Sequence, residues 1–108
     1  MSERFIPLHA PVISNQESIY VKDCLKTSWV STAGKYVELF EEEVKKFTNS
    51  KYAIACINGT SALHISLILS GVSSGDEVIV PTMSFIAPIN AINYCNASPI
   101  FMDVNNEY

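Results

Sequence analysis

From Tyr52 onward the chain alternates short apolar runs, each ended by small or turn residues, with helical stretches, and this alternation confines it to an α/β fold with a parallel sheet. Residues 52–57 form a continuous apolar run that predicts a strand, followed by the turn Asn58-Gly59-Thr60-Ser61. Residues 62–69 predict a helix that stops at Gly71. A turn at 73–76 leads to a strand at 77–80, a loop at 81–84, and a helix at 86–94 with Pro88 in its first turn, where no intrahelical amide bond is lost. Asn96-Ala97-Ser98 turns the chain into a last strand at 99–102. The expected order is β-α-β-α-β with right-handed crossovers. The sequence stops six residues after the third strand, which leaves sheet edges without the usual cover and suggests a piece of a larger α/β domain.

The first fifty residues follow a different pattern. Residues 1–13 have no period and read as an extended arm. Ser14 with Glu17 three residues later is a capping-box pattern, and Ile19, Tyr20, Val21, Cys24 and Leu25 carry a rough helical stripe to about Ser28. Residues 29–35 break the period and predict a loop. A second, amphipathic helix over 36–47 places Val37, Phe40, Val44 and Phe47 on one face, with Glu41, Glu42, Glu43, Lys45 and Lys46 between them. Two parts follow: an arm with two helices over 1–50, and the start of an incomplete α/β domain over 51–108.

Composition removes several classes of function. With 48% hydrophobic and 17% charged residues the chain is suited to a globular core. Seven Lys plus Arg and a net charge of -4 provide no basic patch for a phosphate backbone, so nucleic acid is not expected as a partner. No segment reaches the roughly 18 apolar residues of a membrane span, and the N-terminus does not resemble a signal peptide. Cys24, Cys56 and Cys95 lack the spacing of a zinc or redox site and read as buried thiols of a cytoplasmic protein.

In an open parallel sheet, ligands bind beyond the carboxyl ends of the strands. Two loops meet that condition. Asn58-Gly59-Thr60-Ser61-Ala62 joins a strand to a helix, so free amides, the helix dipole and two hydroxyls would favour an anion such as a phosphate. The same residues also suit a simple helix cap. Neither a P-loop nor a G-x-G-x-x-G is present. The second loop, Pro81-Thr82-Met83-Ser84-Phe85, puts an aromatic ring at the same rim, where Phe85 either stacks on a flat cofactor or joins the core.

The wording and spacing of residues 57–64 (Ile-Asn-Gly-Thr-Ser-Ala-Leu-His), 75–81 (Gly-Asp-Glu-Val-Ile-Val-Pro), 84–87 (Ser-Phe-Ile-Ala) and 99–104 (Pro-Ile-Phe-Met-Asp-Val) resemble the DegT/DnrJ/StrS family of pyridoxal-phosphate (PLP) dependent sugar aminotransferases. The likeness extends upstream through Trp29-Val30-Ser31-Thr32-Ala33-Gly34 and Phe40-Glu41, and so covers residues 5–105. It implies the fold type I, aspartate-aminotransferase-like architecture, with this chain supplying the N-terminal helices and the start of the large, PLP-binding domain. It further implies that Gly59, Thr60 and Ser61 hold the cofactor phosphate and that Phe85 covers the pyridine ring. Trp29, Ser31 and Thr32 would lie near the sugar substrate, although a plain interhelical connector remains an equal reading of that loop.

The resemblance also implies amino transfer, usually from glutamate, to a nucleotide-linked keto-deoxysugar of the surface-polysaccharide or nonulosonic-acid type, in a homodimer. Such chemistry needs a lysine that bonds covalently to the cofactor and then carries the proton. In the family that lysine lies beyond residue 108. Lys22, Lys26, Lys45 and Lys46 sit on predicted helices, and Lys51 lies about 20 Å from the rim at about 3.3 Å per residue. Lys35, in a predicted loop, has no assigned role, and neither does His9. His64 reads as a packing residue, and Asp103 as a structural turn residue. No catalytic residue is therefore assigned, and the isolated chain is expected to be inactive. Two further readings stay open: a module that binds phosphate or PLP without chemistry, and a truncated pseudogene product whose apolar sheet edge would aggregate.

Overall fold

The computed structural model describes residues 5–7, 9–103 and 105. Expectations placed on residues 1–4, 8 and 104 lie outside these. The chain divides into two compact units, Met1–Ala53 and Ile54–Tyr108, and each is described by itself.

In the first unit, α1 spans Asn15–Thr27 and α2 spans Lys35–Thr48. The capping box forms as its spacing predicts: the Glu17 carboxylate accepts from the Ser14 amide at 2.7 Å, and the Ser14 hydroxyl accepts from the Gln16 amide at 3.2 Å. The chain leaves α1 through Ser28 in the left-handed region, with the Ser28 and Trp29 amides closing on the Leu25 and Cys24 carbonyls. Lys45 and Lys46 lie in the last turn of α2, where they suit the helix dipole, and pair with Glu42 and Glu43 at 2.7 Å. The apolar stripes exist but remain uncovered: Leu25, Phe40 and Phe47 are all exposed.

In the second unit, α3 spans Gly59–Leu69, β1 Glu77–Pro81, α4 Ile86–Tyr94 and β2 Ser98–Met102. The two strands pair in parallel, with Val78 opposite Pro99 and Val80 opposite Phe101, joined by α4. Alternation along β1 turns Val78 and Val80 toward α4. The resulting core is Val80, Ile92, Cys95 and Ala97, with Leu67 of α3, Val72 and Ile89 packed against it. Ile79 and Ile100, on the opposite face, are exposed.

Three expectations are corrected. Residues 52–57 belong to no sheet. Their burial alternates as in a strand, with Ala53 and Ala55 half-buried and Tyr52 and Ile54 exposed, but a strand needs a neighbouring ladder, and β1 and β2 pair only with each other. The order in the second unit is therefore α-β-α-β. The helix expected to start at Ala62 starts at Gly59, because Asn58 caps it and draws Gly59, Thr60 and Ser61 into the first turn. Of the three thiols only Cys95 is buried; Cys24 is half-buried and Cys56 exposed.

Burial predicts where truncation will be felt. Replacing Ile92, 2% exposed, with Ala should cost about 2–4 kcal/mol through lost contacts and a residual cavity, whereas Ile79→Ala, on the open face, should cost less than about 0.5 kcal/mol. Urea midpoints of the two variants at constant slope measure the difference.

Candidate functional site

Two sets of candidate residues arise, one in each unit. In the second unit, strand direction sets the geometry. Because β1 and β2 run parallel in register, their carboxyl ends share one rim, where the Thr82 amide donates to the Met102 carbonyl at 3.1 Å and the Thr82 hydroxyl donates to Asp103 at 3.4 Å. The opposite rim collects the helix ends. Gly71, in the left-handed region, closes α3, and the turn at 73–76 bonds to the end of α4 through the Gly75 amide and the Asn96 carbonyl. With both C termini at the strand starts, the N termini of α3 and α4 face the carboxyl rim.

Gly59, Thr60 and Ser61 form the first turn of α3. The Asn58 side chain accepts from the Ser61 amide at 2.8 Å, and the Asn58 carbonyl accepts from Ala62 at 3.1 Å. The amides of Gly59 and Thr60 and the hydroxyls of Thr60 and Ser61 bond to no described residue, so they are available to an anion. A side-chain carbon at Gly59 would meet nothing within 4 Å, which leaves the approach open. Asn58 thus caps the helix and leaves anion donors free; the two readings of this loop are compatible. These residues fit the phosphate end of a cofactor.

Phe85 is the N-cap residue of α4 and is 79% exposed, so it is no core residue. An exposed ring at a carboxyl rim has a face free for stacking. His64 packs edge-on against Tyr94 with centroids 5.5 Å apart, the packing role that its place one turn into α3 suggests.

In the first unit, Trp29 and Ser31 border a cavity of about 560 Å³ with Asp23, Lys35 and Tyr36, whereas Thr32, exposed in the same loop, does not line it. Lys35 is the first residue of α2 and not part of the loop, since Gly34 takes the capping position. Its ammonium lies 3.6 Å from Asp23. His9 is exposed in the arm.

The Asp23–Tyr36 pair was not foreseen. The Tyr36 hydroxyl donates to the Asp23 carboxylate at 2.8 Å, and the Tyr36 ring packs on Tyr20 at 4.9 Å. No motif joins residues thirteen apart on two helices; the only sequence signal is the spacing of three between Tyr20 and Asp23, which puts them on one face of α1. Among the described residues no cluster suits a metal, and no helix is long and apolar enough to cross a membrane.

A parallel α/β unit that presents free helix amides, two hydroxyls and an aromatic ring at one rim is suited to a phosphorylated aromatic ligand. The chain belongs to the DegT/DnrJ/EryC1/StrS aminotransferase family, which it matches over residues 11–108. It is 44% identical over 104 residues to a GDP-perosamine synthase of Escherichia coli O157:H7, covering 96% of this chain and 29% of that protein. To a UDP-4-amino-4-deoxy-L-arabinose–oxoglutarate aminotransferase of Shewanella sediminis it is 36% identical, covering 97% and 27%. Its fold overlays Spr1654 of Streptococcus pneumoniae, solved in PLP and PMP forms, with a TM-score of 0.85 at 29% identity, covering 95% of this chain and 26% of that one. The architecture is that of fold type I. The chain spans less than a third of the length of the relatives it matches.

The Asp23–Tyr36 bond makes a pH prediction. The Asp23 carboxylate, by accepting the bond, pushes Tyr36 up from 10.0 to about 12. Because the folded value is raised, the bond's contribution is fully present below about pH 10 and lost as pH rises through about 12. Asp23 is held below its ordinary value by the Tyr36 hydroxyl and Lys35, so on the acid side the contribution is lost as pH falls through that lowered value. Spectrophotometric titration of Asp23→Asn should show one tyrosine returning toward the ordinary value of about 10.

Proposed function

We propose that this chain is the N-terminal part of a PLP-dependent aminotransferase that moves an amino group from glutamate to a nucleotide-linked keto-deoxysugar. The observation that carries this reading is the family match over residues 11–108. The names of the two relatives support the substrate class, since each joins a nucleoside diphosphate to an amino sugar. Oxoglutarate, in the second name, is the keto acid that glutamate becomes on losing its amine. Such sugars feed surface polysaccharides or nonulosonic acids. In this reading residues 1–50 are an arm with two helices, residues 51–108 begin the PLP-binding domain, and the complete enzyme works as a cytoplasmic homodimer.

The roles divide by chemistry. When bound, PLP supplies the electron sink that lets an amino group leave one carbon and join another. The free amides of Gly59 and Thr60 and the hydroxyls of Thr60 and Ser61 hold its phosphate, helped by the positive end of α3. Phe85 covers one face of the ring and keeps water from it. Trp29 and Ser31, which line the cavity of the first unit, and the exposed Thr32 beside them lie near the sugar. The family resemblance puts the covalent lysine outside these 108 residues; of the lysines here, Lys22 and Lys26 lie on α1, Lys45 and Lys46 on α2, Lys35 is paired with Asp23, and Lys51 lies over the Tyr52 ring. The chain alone is therefore read as inactive.

In the complete enzyme, Thr60→Val and Ser61→Ala should each weaken PLP binding about tenfold, the worth of one hydrogen bond to a charged oxygen. Titration of the apoenzyme with PLP measures this. Labelled glutamate should pass its nitrogen to a GDP- or UDP-linked keto sugar, and absence of label from every such sugar tested would sink the reading. For the chain alone, borohydride after incubation with PLP separates the alternatives: reversible binding without a stoichiometric lysine adduct fits a non-catalytic module, and such an adduct would refute the assignment of the lysine elsewhere.

A further inference from the structure

The loop between α1 and α2 is held at both ends and across its middle. At its start the Trp29 amide donates to the Cys24 carbonyl at 3.0 Å. At its end the Gly34 carbonyl accepts from the Val37 and Glu38 amides at 2.9 and 3.1 Å. Across it, the Trp29 indole N–H donates to the Ala33 carbonyl. The indole lies directly over Gly34: a side-chain carbon there would collide with Nε1 and Cδ1 of Trp29, and the Gly34 φ of 137° is one that only glycine takes without strain. Two independent features of Gly34, its space and its backbone angle, thus serve one side chain. Val30, Ser31 and Thr32 alone remain at the tip, all exposed, with neither hydroxyl bonded to a described residue.

We propose that Trp29 is a positioning residue that closes the loop over Gly34 and onto the Ala33 carbonyl, so that Ser31 and Thr32 are the groups that meet a polyhydroxylated ligand. The indole N–H is already used within the loop and offers no donor to that ligand. The Nε1–Cδ1 edge of the indole lies against Gly34, and the ring spans the loop as a strut. The Asp23–Tyr36 bond ties α2 to α1 just outside this closure. This inference deepens the sugar-site reading given above and rests on it for the identity of the ligand, but the closure itself does not depend on that reading.

Trp29 is the only tryptophan of the chain, so its indole N–H gives a single resonance. In this chain that proton should exchange slowly with solvent and lie away from the position of a free indole. In Gly34→Ala it should move to the free position and exchange fast, while the amide signals of the second unit stay in place. Rapid exchange in the unsubstituted chain, or an unchanged resonance in Gly34→Ala, would overturn the closure. In the complete enzyme, Trp29→Phe keeps an aromatic strut and removes the donor. It should raise the KM for the keto sugar about fivefold, the worth of one neutral hydrogen bond, and leave the glutamate half-reaction unchanged. Ser31→Ala combined with Thr32→Val should raise the same KM at least as much, with the indole resonance unmoved. Loss of the glutamate half-reaction in Trp29→Phe, or no change in sugar KM, would remove the positioning role. If the unsubstituted enzyme transfers no nitrogen to a nucleotide sugar, the aminotransferase reading fails, and the indole exchange still decides the closure.

Discussion

The packing of α4 against one face of the parallel β1–β2 pair is the contact on which the second unit depends. Parallel neighbours cannot be joined by a tight turn, so the chain must cross back over the sheet, and the element that crosses must bury its apolar side there. Val80 and Ile92 meet in that layer, with Cys95 and Ala97 closing its lower end. Once α4 returns the chain to the start of β2, its own N terminus stands at the carboxyl rim. Packing of α3 beside it brings a second N terminus to the same side, with free amides directed outward. The site is thus a product of strand direction, and the residues that would bind phosphate contribute nothing to the core that places them.

The first unit rests on another kind of constraint. It has no fully buried residue among those described; what orders it is local and polar. A capping box starts α1, a left-handed Ser28 ends it, and Gly34 starts α2. Between the helices the loop of residues 28–34 is closed by one indole and tied from outside by a tyrosine on a carboxylate. Such bonds are individually modest where solvent competes for them, so several are used together in a segment that must hold a shape without a core of its own. The uncovered faces of Leu25, Phe40 and Phe47 and of Ile79 and Ile100 fit a chain that spans less than a third of its relatives.

Much of the fold was legible in the residues. The spacing of Ser14 and Glu17 announces the start of α1, the period of α2 is plain, and the limits of α4 agree with its pattern to the residue. Strand-like residues 52–57 were legible as apolar and extended but not as lying outside the β1–β2 sheet, because hydrophobic pattern records what a segment can bury and not which ladder it joins. The start of α3 was displaced for a related reason. Gly59, Thr60 and Ser61 are poor helix formers read one by one, and only the Asn58 cap shows that they form a first turn.

By itself the sequence determined the local chemistry: caps, turns, the amphipathic period, the glycine that follows Asn58, and wording specific enough to state the family. All of these are encoded within a few residues of one another, where spacing alone decides which atoms can meet. Tertiary structure decided what lies far apart in the chain. It brought Asp23 to Tyr36, left Phe85 exposed at the rim, and put both helix N termini on the carboxyl side of the sheet. None of these follows from spacing, because each depends on the direction in which a whole helix or strand returns.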